Sequence, residues 1–352
     1  ARYDERRTAP PPPRRLEAQK QRSSRWTIAA MLGVFAVLVG SIGAGRFLGD
    51  DPTPTPPAIA EAQPSLTPEI FLTPSPTATG TQTPTPTETP TPAPTPTPDP
   101  RYVGKIVCLD PGHGGSDRGY ARTENQAAPA MEEAFYNLAY ARAVRFRLEQ
   151  LGFTVVMTRD DDVDANASGD DVNRDGRTYA KLIKTDPQAA ERAKDLDELQ
   201  ARINVCNEAD ADLLVSMHIN GFPDTAAQGY ETWYSSARAF RDRNKLFAEF
   251  AYEELGQEME AAGYNARPRG VNDDADARVE VAGDAFDRYV ITGPAQPGQI
   301  VPSAMPGAIV EVLFISNDRD AAFLVGAEGR NAIVTAYGRA IVRYFDAIAE
   351  NE

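Results

Sequence analysis

The chain has 352 residues, with 36 Lys/Arg against 51 Asp/Glu and a net charge of −15. That acidity argues against nucleic-acid binding, which needs basic patches to neutralise phosphates. The length leaves room for one full-sized globular core plus accessory segments.

The first accessory segments lie at the N-terminus. Residues 1–25 carry eight Arg/Lys and three Asp/Glu, reading as a basic cytoplasmic tail. Residues 26–45, Trp26 to Gly45, contain no charge. Twenty helical residues rise about 30 Å, the thickness of a hydrocarbon core. The expectation is a single transmembrane signal anchor over 26–48, because the span exceeds the usual signal-peptide core and lacks a clear cleavage pattern. Secretion after signal cleavage is the alternative. The basic flank places the N-terminus in the cytoplasm and the rest of the chain outside. Residues 49–100 read as a disordered Thr/Pro linker. Sixteen of the 29 prolines fall in residues 51–100, mostly in Thr-Pro repeats. Such a tract cannot bury a core and stays extended, a tether of about 3.1 Å per residue.

Residues 101–352 read as the catalytic domain. Lys105 to Asp110 is a short apolar strand. Glu133 to Leu151 repeats apolar residues at helical spacing and stops at Gly152. Thr154 to Thr158 is a second strand, so the first three elements form a β-α-β unit with a parallel pair. A helix over Leu199 to Ala209, strands over Asp212 to His218 and Gly229 to Tyr234, a long helix over Arg241 to Gly263, and a strand over Ala308 to Ile315 follow. That last strand is the final element the patterns place. The expected fold class is α/β, a mostly parallel twisted sheet with helices on both faces.

Both histidines of the chain sit at strand ends. His113 follows the first strand in Asp110-Pro111-Gly112-His113-Gly114-Gly115. His218 closes the strand Leu213 to Met217. Neutral imidazole suits zinc, and the C-terminal ends of strands are where an open α/β sheet holds its chemistry. Two histidines make half a tetrahedral site. Glu132 or Glu133, at the start of the first helix, is the third candidate, against the simpler role of complementing the helix dipole. Glu311 stands in the middle of an apolar strand, where a charge is costly unless paired or functional. The functional reading is a general base, the other a buried salt bridge. Cys108 and Cys206 are read either as two buried small apolar residues or as a disulfide, and their spacing argues against zinc–thiolate binding.

In order, the blocks Ile106 to Gly115 with Asp117 and Gly119, Glu133-Ala134-Phe135-Tyr136-Asn137-Leu138, Val156-Met157-Thr158-Arg159, Leu199-Gln200-Ala201-Arg202, Ala211 to Asn220, Arg269-Gly270-Val271 and Pro306 to Asn317 resemble the zinc-dependent N-acetylmuramoyl-L-alanine amidases, the third class of cell-wall amidases. The resemblance covers nearly all of 101–350. It implies one Zn2+ held by His113, Glu133 and His218, with the register choosing Glu133 over Glu132, and Glu311 as catalytic base. It implies hydrolysis of the amide between N-acetylmuramic acid and L-alanine in peptidoglycan; the apolar span and its basic flank put that activity at the bacterial cell membrane with the catalytic domain extracytoplasmic. An activator protein is a further possible partner. Asn220, two residues past His218, is a candidate substrate-binding residue, with a role in holding its loop as the alternative.

Two insertions depart from the family pattern, at about 163–196 and 272–300. In the first, Asp171, Asn173 and Asp175 resemble half of a calcium loop, with Leu182 where the twelfth-position acid belongs. A Ca2+ site and a solvated acidic turn are the two readings. The second, rich in Pro and Gly, reads as a loop over or beside the zinc. Two other functions remain: a silent peptidoglycan-binding anchor, and a zinc peptidase acting on the stem peptide. The chain has no His-Glu-x-x-His motif to favour the latter.

Overall fold

The computed structural model describes residues 98–350 apart from 278, 282, 283 and 287. The basic tail, the apolar span 26–48 and all but the last three residues of the linker lie outside the described residues. Among the described residues no helix is long and apolar enough to cross a membrane.

The elements run β1 (Ile106–Pro111), β2 (Ala121–Arg122), β3 (Met131–Glu132), α1 (Glu133–Leu151), β4 (Thr154–Met157), α2 (Tyr179–Leu182), α3 (Pro187–Glu208), β5 (Leu213–Asn220), β6 (Tyr230–Tyr234), α4 (Arg241–Ala261), β7 (Pro268–Asp273), β8 (Val279–Val281), β9 (Asp284–Phe286), β10 (Gly307–Phe314), α5 (Asp318–Val325) and α6 (Ala327–Ala349). Six strands form one sheet in the order β4-β1-β5-β10-β6-β7. The first four are mutually parallel, β6 is antiparallel to β10, and β7 is parallel to β6. The expected mostly parallel α/β sheet is present.

Alternating side chains divide the strands between two cores. Val107 and Leu109 of β1, Leu213, Val215 and Met217 of β5, and Ala308, Val310 and Val312 of β10 pack with apolar residues of α1, α4, α5 and α6. Cys108, Leu214 and Ile309 point the other way, toward Leu196, Ile203 and Cys206 of α3. α1 buries Ala134, Leu138, Ala141, Val144 and Leu148 at three- and four-residue steps. It ends at Gly152, whose left-handed backbone returns its N–H to Glu149 and Leu148.

The structure extends the sequence reading in three places. α3 begins at Pro187 rather than Leu199, because Asp186 caps Ala189 N–H and Pro187 fits the first turn. The first insertion therefore lengthens this helix by three turns. After β10, Asn317 caps α5, and α6 buries Ile333, Ala336, Tyr337, Ala340, Ile341 and Tyr344. The second insertion is a loop only in part. It holds a short 3-10 turn (Asp274–Asp276) and the β8–β9 hairpin. Phe286, Val290, Ile291 and Ile300 then bury into the α3 core. Its Pro and Gly content hid these apolar anchors.

Candidate active site

Strand β1 is followed on one side by β4 and on the other by β5. Chain order thus reverses between β1 and β5, and a crevice opens beyond their C-terminal ends. His113 lies just past the end of β1, with its backbone in the left-handed region at φ 61°. His218 lies within β5. Glu133 is the first residue of α1. The resemblance names these three, and the fold brings them together. Glu133 Oε1 lies 3.1 Å from His113 Nε2 and 3.1 Å from His218 Nδ1. The ligand atoms of the three residues all lie within 4.8 Å of one another.

Close backbone approach makes this convergence possible. A Cβ on Gly112 would sit 2.1 Å from the His218 ring. One on Gly119, at φ +61°, would sit 2.5 Å from Glu133 Oε2. Both positions therefore need glycine. Tyr120 N–H donates to Glu133 Oε2 at 3.1 Å, and the Asn137 side-chain amide donates to Oε1 at 3.3 Å. Asp117 Oδ2 lies 2.6 Å from His113 Nδ1. That contact orients the ring so that Nε2 faces the centre, the usual arrangement behind a metal-bound histidine. Two imidazoles and one carboxylate suit a catalytic zinc, which takes three protein ligands and leaves one position open.

The electrostatics of the three residues favour positive charge among them. Burial opposes the charged form of Glu133, but His113 and His218 outweigh it and hold its carboxyl well below the usual range. Burial also pulls His113 down. Glu133 and Asp117 overcome this and raise it to about 10. His218 is raised as well, burial being outweighed by Glu133 and Glu311.

Glu311 extends the site sideways. It pairs with His218 on β5 and with Glu231 on β6, so the three share one row across the sheet and project from the same face. Among the described residues its carboxylate has no hydrogen-bond or ion-pair partner. Burial, with Glu133 and Glu231 adding to it, lifts Glu311 to about 7 against the pull of His218. Beyond Glu311, Leu313 at φ 60° marks a bulge before pairing resumes between Phe314 and Asn220.

Asn220 belongs to a different network. Its amide donates to Glu231 Oε1 at 2.9 Å, and Arg269 Nε lies 3.3 Å from the same oxygen. The bond ties the end of β5 to β6. Asp171, Asn173 and Asp175 lie apart from the triad. Asp171 accepts from Gly176 N–H, Asn173 from Asp175 N–H, and Asp175 from Arg177 N–H, so each caps its own turn. Among the described residues only His113, Glu133 and His218 gather three or more His, Cys, Asp or Glu ligand atoms. The calcium reading keeps its sequence pattern and gains no such cluster.

The sequence reading missed the supports of the His113 loop. Arg202, 3% exposed, contacts Asp110 Oδ1 at 2.9 Å and donates to the carbonyls of Pro111 and His113. Arg159 donates to the carbonyls of Pro111, Gly112 and Ala134. Thr158 and Ser216 hydroxyls complete the shell around Asp110. The signal was present, since a lone arginine ends each of the Thr-Arg and Leu-x-x-Arg blocks. Behind this loop a disulfide joins Cys108 to Cys206, closing the open alternative for that pair.

A cleft of about 220 Å³ opens beside the histidines. His113, His218 and Asp117 line it together with Asp164, Lys194 and Asp195 of the first insertion. Ile291 of the second insertion also lines it. That insertion lies beside the site and packs on the α3 face.

Residues 107–343 match the family model described as N-acetylmuramoyl-L-alanine amidase. The chain is 26% identical over 243 residues to the germination-specific N-acetylmuramoyl-L-alanine amidase of Bacillus subtilis, covering 69% of this chain and 80% of that one. It is similar to the CwlD amidase from Clostridioides difficile, solved in complex with the GerS lipoprotein, at 22% identity and a TM-score of 0.48, over 69% of this chain and 99% of that one. An N-acetylmuramoyl-L-alanine amidase of Nostoc punctiforme gives 21% identity and a TM-score of 0.47, over 70% of this chain and 99% of the other. With two thirds of its length matched by one family, the chain belongs to the N-acetylmuramoyl-L-alanine amidases, cell-wall enzymes that hydrolyse the amide between N-acetylmuramic acid and L-alanine.

Proposed function

We propose that the chain is a zinc-dependent, membrane-anchored amidase that trims peptidoglycan outside the cell membrane. His113, Glu133 and His218 hold the metal, and Glu311 moves the proton. One observation carries this reading: three ligand atoms within 4.8 Å of one another, beside an unpartnered carboxylate on the neighbouring strand.

Zinc at these ligands would supply Lewis acidity to a water and to the scissile carbonyl. Glu311, lifted to about 7, is placed to take a proton from the attacking water near neutral pH. The water oxygen joins the lactyl carbonyl carbon, and the bond from that carbon to the alanine nitrogen breaks. Glu311 returns the proton to the departing nitrogen, leaving a glycan carboxylate and a free stem peptide. Asp117 holds the His113 ring through Nδ1 while this happens. Arg159 and Arg202 keep the loop carbonyls fixed, so the histidine does not drift. The uncharged span 26–45 and its basic flank support the anchor, and the Thr/Pro tract supports a tether long enough to reach the wall.

The test is incubation of the full chain with purified peptidoglycan, followed by mass analysis of the products. Free stem peptides are expected. Shortened peptides would make it a peptidase, and co-sedimentation with no product a silent binder. Glu311→Gln is expected to keep one metal per chain and lose roughly 10²–10⁴ in turnover. A fully active variant would remove Glu311 from the chemistry.

A further inference from the structure

The cleft beside the histidines is built in part from a segment that the family pattern lacks. Besides the histidines, seven charged residues line it: Asp110, Asp117, Asp164, Lys194, Asp195, Glu198 and Arg202. All but Asp195 are engaged. Asp117 holds His113, and Asp164 accepts from the backbone and hydroxyl of Ser116. Lys194 donates to the same hydroxyl. Glu198 accepts from Arg202 and from the N–H groups of Ala165 and Asn166. Arg202 is held by Asp110.

Asp195 differs. Among the described residues it has no hydrogen-bond or ion-pair partner, although it is half-buried. A carboxylate on the lining of an open cleft with no protein partner is free to accept from an arriving cation or N–H donor. Asp117 and Glu198 line the same cleft as Asp195 and add to its attraction for a positive group. Helix α3 fixes its position, because Ala193, Leu196 and Asp197 on either side are buried.

We propose that Asp195 is a specificity-determining residue that receives the side-chain ammonium of a diamino acid in the stem peptide. This rests on the substrate reading above. Three extended residues span about 10 Å, so the third residue of a stem peptide whose first residue lies at the histidines falls within reach of the cleft wall. The ammonium donates to the Asp195 carboxylate, and the surrounding acids add to the attraction. A peptide whose amine is capped loses the charge and presents a bulkier neutral group. The first insertion, which lengthens α3 by three turns, is then the element that sets substrate choice.

The test uses the full chain with two soluble probes: N-acetylmuramoyl-L-alanyl-D-glutamyl-L-lysine and its Nε-acetyl form. The wild type is expected to favour the free amine in kcat/KM by roughly tenfold, the worth of one charge-assisted hydrogen bond. Asp195→Asn, which breaks no hydrogen bond, is expected to bring that ratio close to one, with the loss in KM. Asp195→Glu is expected to restore part of the preference. Equal use of both probes by the wild type, or a preference retained in Asp195→Asn, overturns the proposal. Failure to hydrolyse either probe would instead strike the amidase reading itself, so the two failures are distinct.

Discussion

The two faces of the sheet are buried by different means. The face under α1, α4 and α6 is sealed mainly by apolar packing, with Val144, Leu148, Phe247, Ile333 and Ile341 fully buried. The face under α3 has a smaller apolar core, a disulfide, a buried Arg202–Asp110 pair and the second insertion laid against it. The difference separates two jobs. The first face supplies most of the apolar core and meets the triad only at the start of α1, through Glu133 and Asn137. The second is tied to the His113 loop, since the same Arg202 that pairs with Asp110 also holds the His113 carbonyl. Damage there should reach stability and metal binding together.

The largest effect is expected from Arg202→Met. It leaves Asp110 charged and buried without its partner, at a cost of about 3–5 kcal/mol. Chemical denaturation read beside metal titration should show both falling. Loss of stability with unchanged metal affinity would mean the two faces are equivalent. Removing the disulfide as Cys108→Ala with Cys206→Ala should cost roughly 2–5 kcal/mol, because it closes a long loop in the unfolded chain. Metal affinity should weaken as α3 loosens. On the other face, Leu148→Ala should cost about 3 kcal/mol through the cavity it leaves. Metal content per folded chain should stay at one, and a drop would break the separation.

The smallest effect is a pH dependence. Burial opposes the Asp110 charge, but Arg202 and the Thr158 and Ser216 hydroxyls overcome it and hold its carboxyl below the ordinary 3.8. A carboxyl lowered on folding stabilises above its unfolded value, and that stability is lost as pH falls through the folded value. Thermal unfolding should therefore drop on acidification below about pH 4. A variant already lacking the pair, Arg202→Met with Asp110→Leu, should show a flatter acid limb. An unchanged limb would assign the acid sensitivity elsewhere.

Much of the central fold was legible. β1, α1, β4 and β10 were placed to within a residue at either end, since apolar runs and a glycine stop are local signals. Element ends that rest on caps were less legible. Asp186-Pro187 starts α3, and Asn317 starts α5, yet both lie in polar stretches that pattern reading passes over. The site was half legible. Two histidines at strand ends were visible as residues, whereas the choice of Glu133 over Glu132 came from the family register.

By itself the sequence determined which residues could do chemistry and which segments could not fold into a core. Two histidines, one carboxylate in a buried strand and a Thr-Pro tract are facts of composition and order. The tertiary structure decided which of them meet. Glu311 faces the same way as His218 because strand pairing sets both in one row. Asp195, unpartnered among the described residues, lines the same cleft as His113 because three added turns of α3 carry it there. Neither relation is local in the chain, since the pairing joins residues 218 and 311 and the cleft joins residues 113 and 195. Contacts between distant segments depend on how sheet and helices pack, which the order of residues along the chain does not display.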